Sequence, residues 1–328
     1  MAKRKYKRKK KAKALTPFQK VIFSIFGAVV ALGMSVALAA CPPSVWNEIF
    51  TAAGLEAQPL PALQMDENAV AIHFIDVGQA DATLLQAQGE YCLVDAGEAA
   101  SEQALLNYLS SMGVTKLKLL VMSHPHADHI GSMAAVLENL EVEQVLLPDF
   151  TKAPMPTTAT FERVLDAVEA KSIPVITAVP GQEYAVGEAT PTVIDAGVTT
   201  ENYNDLSQVL YFDAPGLTAV LSGDGEKPVE KAALEQGVRR ADVFKAAHHG
   251  SNTSNTQDFV QAIWPKYVVV SCGEGNSYGH PHAEPMQRFK AIGAQVLRTD
   301  ERGSVVFEAT PEGLKLYTAK QTAEKEAA

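Results

Sequence analysis

From Ala69 onward the chain alternates short strand-length runs with amphipathic stretches of helical period, in an order that leaves few folds open. Ala69–Val77, Ala82–Gln86 and Tyr91–Asp95 read as strands, with turns at Val77-Gly78-Gln79 and Gln88-Gly89. Ser101–Met112 then takes helical period: Leu105, Leu106, Leu109 and Met112 share one face, Ser101 is placed to cap it and Gly113 to stop it. Leu117–Met122 is an apolar strand, followed by a polar loop and a second helix from about Ser132. Strand Glu143–Leu147, helix Thr158–Lys171 and strand Val175–Val179 complete the first half. The second half repeats the scheme, with strands at Thr192–Asp195, Val209–Asp213, Leu217–Leu221, Val243–Ala247 and Tyr267–Cys272, and helices near Glu226–Gln236, Thr256–Trp264 and Glu284–Ile292. Three closing strands, Val296–Thr299, Ser304–Glu308 and Lys315–Tyr317, are expected to be joined by hairpin turns at Arg302-Gly303 and Glu312-Gly313. This order predicts an α+β fold in which two sheets pack face to face with helices on the outsides.

Charge separates the N-terminus from this body. Residues 1–40 hold ten of the 28 Lys and Arg and no acidic side chain, so the remainder carries 18 basic against 38 acidic groups, a formal −20. Such a body has no general attraction to polyanions; one would have to be held by a local basic patch, for which Lys245, Arg288 and Lys290 are candidates, or by bound metal. After the basic run, Val21–Ala40 is uncharged across twenty residues and ends Leu38-Ala39-Ala40-Cys41. These are the features of an export signal, and Leu-Ala-Ala-Cys resembles the lipobox at which bacterial lipoproteins are cleaved and lipidated. The alternative is an uncleaved single-span helix. Both place residues from about 45 onward outside the cytoplasm, tethered to the membrane. The expected division is a signal or anchor over 1–40, a linker over 41–68 with Pro42, Pro43, Pro59, Pro61 and a short helix around Val45–Ala53, a folded α+β domain over 69–319 and a tail over 320–328. Cys92 and Cys272 lie in apolar strand contexts and read as buried free thiols, with a disulfide as the alternative.

The chemistry-bearing residues gather at predicted strand ends. Ser123-His124-Pro125-His126-Ala127-Asp128-His129 follows the strand ending at Met122; His124 and His126 can aim two imidazoles at one cation, and Asp128 and His129 can address a second. Leu221-Ser222-Gly223-Asp224-Gly225 puts a carboxylate at the next strand end, where it can bridge two metals. Phe244-Lys245-Ala246-Ala247-His248-His249-Gly250-Ser251 adds an imidazole pair. The loop Gly273 to His282, with Asn276, Tyr278 and His280, is flexible and polar, which suits substrate contact better than rigid ligation.

His124-x-His126-x-Asp128-His129 resembles the signature of the metallo-β-lactamase superfamily. The likeness narrows to the C-terminal domain of the ComEC competence proteins through Phe74 to Ala82, Leu93 to Gly97, Ser123 to Gly131, Asn204 to Leu210, Ser222-Gly223-Asp224, His248 to Ser251 and Asn276 to Pro281, in the family's order over residues 70–310. The resemblance implies an αββα sandwich with a dinuclear metal site, zinc first and manganese as the alternative. It implies one ion on His124, His126 and Asp224, and a second on Asp128, His129, Asp224 and His248, with His249 as substitute for His248. Asp95 would orient the metal loop, Asp128, Asp95, His249 and His280 would serve catalysis, and Asn204, Ser207, Asn276 and Tyr278 would meet substrate. Asp76 and Asp81 are supports near the site. No histidine lies between His129 and His248, so the further imidazole that many superfamily members use is absent, and Asn204 and Ser207 stand in that region. Ala80 replaces the branch's usual glycine. The implied activity is metal-assisted hydrolysis of phosphodiesters, DNA among them, without a nucleotide cofactor; an amide or ester hydrolase such as a β-lactamase or lactonase, and a non-catalytic metal-binding surface lipoprotein, are the alternatives. One apolar segment cannot form the multi-pass channel of those proteins.

Overall fold

The computed structural model describes residues 65–320. The export segment over 1–40, Cys41, the helix expected around Val45–Ala53, most of the 41–68 linker and the tail beyond Lys320 lie outside the described residues. Among the described residues no helix is long and apolar enough to cross a membrane.

One sheet has eight strands, running from edge to edge Gly313–Thr318, Val305–Thr310, Ala71–Phe74, Thr83–Ala87, Glu90–Val94, Leu119–Val121, Val145–Leu147 and Val175–Thr177. Its first five strands pair antiparallel and the last three join in parallel. The second sheet has six, running Gln295–Arg298, Tyr267–Val270, Val243–Lys245, Leu217–Leu221, Val209–Ala214 and Thr190–Asp195; the first four are parallel and the last two antiparallel.

Period-two side-chain alternation explains the layers. Ile72, Phe74, Leu85, Cys92, Val94 and Val121 turn inward from the first sheet onto Leu210, Phe212, Ala219, Leu221, Val243 and Val269 from the second. Phe307 meets Phe74 edge-on at 6.4 Å between centroids and reaches across to Tyr267 at 4.8 Å. Each such side chain contributes about 1.5–3 kcal/mol on burial. The alternate residues Leu84, Leu93, Leu120 and Val145 pack outward on helices Glu102–Ser111 and Ala159–Lys171 through Leu105, Leu109, Phe161 and Val164. On the far side Tyr211, Val220, Phe244 and Val268 meet Val229, Phe259, Ile263 and Phe289 of helices Lys227–Glu235, Gln257–Ile263 and Ala283–Ala291. The result is the αββα sandwich. Cys92 and Cys272 are buried and free.

Three local expectations are corrected. The closing strands do not form a three-stranded meander: Gln295–Arg298 joins the second sheet beside Tyr267–Val270, Thr299–Arg302 is a helical turn, and only Val305–Thr310 and Gly313–Thr318 make a hairpin. In the second sheet Leu297 faces the inter-sheet core. Ser101 does not cap its helix; its hydroxyl donates to Glu98 O at 2.8 Å, closing a 3-10 turn over Ala99–Ser101. Asp128 and His129 sit in a helical turn, Ala127–Ile130, rather than in an open loop.

Candidate metal centre

The ends of strands from both sheets meet at one edge of the sandwich. Leu119–Val121 delivers Ser123 to His129, Leu217–Leu221 delivers Asp224, and Val243–Lys245 delivers His248 and His249. The backbone is shaped for this convergence. Gly131 closes the turn carrying Asp128 and His129, and a Cβ there would stand 2.4 Å from Ala99 N and 2.6 Å from Ala127 O, so no other residue fits. Gly223, at φ +49°, brings the Asp224 turn against Ser123 and Ser207.

His129 Nε2 faces Asp224 Oδ1 at 3.2 Å and Asp128 Oδ2 at 3.9 Å. His249 Nε2 completes the ring at 3.3 Å from Asp128 Oδ2 and 3.7 Å from Asp224 Oδ2. Beside them His124 Nε2 and His126 Nδ1 stand 3.0 Å apart. Ligands about 2.0–2.1 Å from a tetrahedral cation stand roughly 3.3 Å from one another. The donors are therefore at ligand spacing. His129 Nε2 and Asp224 Oδ1 are buried and face each other without a well-aligned hydrogen bond, an arrangement that a cation between them would satisfy.

The electrostatics favours positive charge among these carboxylates. Burial alone would lower the His129 pKa, but Asp224, Asp95 and Asp128 outweigh it and hold it well above the ordinary imidazole value. His249 is raised to about 9 against burial by Asp224, Asp81 and Asp128. Asp224 is held well below the carboxylate range, burial being overcome chiefly by His129 and His249. Protons on two imidazoles thus balance the carboxylates, and a divalent cation on the same donors would displace them. The donor set fits a divalent metal.

The groups behind the ligands fix their orientation. Asp95 Oδ2 accepts from His129 Nδ1 at 2.7 Å, and its two oxygens accept from Ser123 N and Oγ at 2.8 and 2.7 Å. His249 Nδ1 donates to Ser271 O at 3.0 Å, leaving Nε2 for the cation. Asp81, Asp224, His129 and His249 form a buried cluster with donor atoms within 4.8 Å of one another. Asp81 nevertheless lies behind the rings, near His249 Nδ1 (3.5 Å) and His129 Nδ1 (3.9 Å), nitrogens already bonded to Ser271 and Asp95. Asp128, which faces both Nε2 atoms, is the better fourth donor.

The pair His248-His249 occupies the left-handed region at φ 51° and 52°, which costs non-glycine residues on the order of 1 kcal/mol each. Asn255 holds this turn: its Oδ1 accepts from Ala247 N at 3.0 Å and its Nδ2 donates to Ala247 O (2.9 Å) and Ser251 O (3.1 Å). Buried Glu230 accepts from Asn255 N and Thr256 N. Both histidines of the turn bring Nε2 to 3.7 Å from Asp224 Oδ2, and His249 reaches Asp128 as well. His248 Nδ1 turns to Thr253 Oγ1 (3.2 Å) and Glu226 Oε1 (3.6 Å), whereas His249 joins Asp128 and His129.

A cleft of about 320 Å³ opens over these donors, lined also by Gln79, Asn204, Tyr278 and His280. Asn204 donates to Glu226 Oε1 at 3.3 Å and keeps a buried, unpartnered Oδ1. Ser207 stands behind Asp224, its hydroxyl accepting from Asp224 N at 3.1 Å. Asn276 spends its amide on its own loop, accepting from His280 N and donating to Gly273 O and His280 O. Asp76 lies in a turn, accepting from Gly78 N. The expected basic patch is corrected: Lys245 is buried and paired with Asp81, and Arg288 is bound to Glu284 and to the carbonyls of Ser254 and Asn255, so neither is free for substrate. Sequence reading passed over the Asp81–Lys245 pair and the Asn255–Glu230 clasp. The first had a signal, a lysine inside an apolar strand, which demands a buried carboxylate.

Two face-to-face sheets with helices outside and a carboxylate–imidazole cluster at their shared edge define a metallohydrolase. The model of the metallo-beta-lactamase superfamily matches residues 75–274, and the chain belongs to that superfamily. It is 28% identical over 257 residues to ComE operon protein 3 of Bacillus subtilis, covering 72% of this chain and 32% of that protein. It is also 28% identical over 254 residues to competence protein ComA of Neisseria gonorrhoeae, covering 76% and 34%. The chain thus spans about a third of the length of these curated relatives, and it carries the ComEC-like domain that the motifs led one to expect. Among solved structures, the metallo-beta-lactamase fold protein YhfI of Bacillus subtilis superposes with a TM-score of 0.50 at 13% identity, covering 73% of this chain and 100% of that one, which shows the shared fold.

Proposed function

We propose that the protein is a two-metal phosphodiesterase acting on nucleic acid, held outside the cytoplasm by its N-terminal segment. The observation that carries this reading is the donor ring of Asp128, His129, Asp224 and His249 beside the His124–His126 pair. Asp128, His129, Asp224 and His249 would hold one cation, and His124, His126 and Asp224 the other, with zinc or manganese suited to this imidazole–carboxylate set. Two such cations would lower the pKa of a water toward neutrality and offset charge on the phosphoryl oxygens.

The remaining residues handle the substrate. Burial, then His249, His248 and His282, hold the His280 imidazole down at about 4, so it is neutral at pH 7 and offers a hydrogen bond without first losing a proton. Asn204 lines the same cleft and keeps a buried, unpaired Oδ1 acceptor. The competence and recombination names of the relatives favour a nucleic-acid substrate over a β-lactam or lactone. The uncharged Val21–Ala40 run ending in Leu-Ala-Ala-Cys41 supports export and tethering.

A screen of the metal-loaded protein with bis-(p-nitrophenyl) phosphate, single-stranded DNA and nitrocefin tests the activity. Hydrolysis of the two phosphodiesters and not of nitrocefin is expected; the reverse pattern overturns the reading. Protease added to intact cells should digest the domain, and Cys41→Ala should abolish lipid labelling if Cys41 is the anchor.

A further inference from the structure

Tyr278 is the most exposed of the large apolar side chains among the described residues, at 67%. It also stands at the mouth of the metal cleft. Leaving an aromatic ring in water forgoes a large burial gain, so its position needs a reason. The ring is held in place. Asn276 ties Gly273 to His280 around it, Gly273 N donates to Gln79 Oε1 at 3.0 Å, and Gln79 Nε2 meets His280 Nδ1 at 3.4 Å. The loop is therefore pinned on one side to Gln79, in the turn between strands Ala71–Phe74 and Thr83–Ala87, and on the other to the site's histidines.

The rings form a ladder. Tyr278 stacks on His280 with planes 19° apart and centroids 5.6 Å apart, and His280 stacks on His249 at 27° and 6.1 Å. One end of this ladder is a donor at the metal centre, and the other is an open ring face in solvent. A phosphate at the donors thus has, two ring spacings away, a flat surface of the kind on which unpaired bases stack.

We infer that Tyr278 is a stacking platform for an unpaired nucleobase of the strand whose phosphodiester lies at the metal centre, which makes single-stranded nucleic acid the preferred substrate. This inference rests on the phosphodiesterase reading. It follows from the geometry that a base inside a duplex cannot use the platform, because both its faces are covered by neighbouring pairs. The acidic body points the same way: with no Lys or Arg among the described residues that line the cleft, backbone charge would be met at the metals, and stacking is the interaction left to grip the rest of the nucleotide.

The test compares a single-stranded thymidylate hexamer with a hexamer of the same backbone lacking bases, on wild type, Tyr278→Ala and Tyr278→Phe. Metal content and thermal midpoint of each variant are measured alongside. Tyr278→Ala should lower kcat/KM on the thymidylate hexamer by about tenfold or more, chiefly through KM, leave the abasic hexamer within about twofold and keep its metals, while Tyr278→Phe stays near wild type. Equal loss on both hexamers, no loss on either, or faster cleavage by wild type of blunt duplex than of single strand overturns the platform while the phosphodiesterase reading stands. Wild type that cleaves neither hexamer but hydrolyses an ester or amide overturns that reading, and the platform with it.

Discussion

Asp95 Oδ2 meets His129 Nδ1 at 2.7 Å with both side chains buried, so one carboxylate fixes the ring whose other nitrogen points at Asp224 and Asp128. The same carboxylate takes Ser123 N and Oγ, which ties the start of the His124–His126 segment to the same point. Its own φ of +60° puts it there, at the turn after strand Glu90–Val94.

Asp95→Ala should therefore weaken metal binding without removing any ligand. A lost carboxylate behind a ligating histidine costs about 10–100-fold in metal affinity. Titration of the chelator-stripped protein with manganese or zinc, followed calorimetrically, checks it; an unchanged affinity would show that Asp95 only shapes the turn.

The two histidines of the left-handed turn should separate cleanly. His249→Ala removes the nitrogen that joins Asp128 and Asp224, so it should empty one metal position, whereas His248→Ala should keep metal content near wild type and lower turnover. Elemental analysis of the two purified variants reads this directly. Loss of metal from His248→Ala instead would restore the order read from the sequence.

Asn255→Ala should destabilise the whole domain. It removes three buried hydrogen bonds from the Ala247–Ser251 turn and leaves alanine at φ +60°. The expected cost is about 3–4 kcal/mol, from unsatisfied buried groups and backbone strain together. Urea unfolding with and without bound metal measures it, and metal should recover part of the loss by binding only the folded state.

His73, buried beside Tyr108, gives a pH dependence of its own. It is fully buried, donates to or accepts from Tyr108 Oη at 2.9 Å, and burial lowers its pKa to about 4 despite a bond to Gln86. The unfolded chain titrates near 6.5, so the folded state binds fewer protons between the two values. Stability is then fully present above about pH 6.5 and lost as pH falls toward 4, by about 3 kcal/mol. NMR titration of the His73 ring should show no protonation above about pH 5. Urea midpoints should fall across the same window, and less so in His73→Gln.

What the sequence made legible was what is local. His124, His126, Asp128 and His129 lie within one short segment, and their residue types alone imply a cation. The layers also followed from period, since Ile72, Phe74, Leu85 and Val94 alternate with outward-facing neighbours. What stayed hidden depends on distant contacts. Asp81 and Lys245 are 164 residues apart and make sense only as a pair. The preference for His249 depends on a backbone conformation that Asn255 imposes, and nothing in His-His-Gly announces it. Gln295–Arg298 has the pattern of a hairpin strand, yet it pairs in parallel with Tyr267–Val270 of the other sheet, a long-range choice its own residues do not announce.

The division of donors between the sheets has a consequence for how this centre can fail. His124, His126, Asp128 and His129 ride on the first sheet, Asp224 and His249 on the second, and each proposed cation position draws on both. A cation bound among them is a rivet as well as a reagent, clamping that edge of the sandwich shut. Damage that lets the sheets part by even an ångström should not dim the enzyme gradually; it should switch off rivet and reagent together.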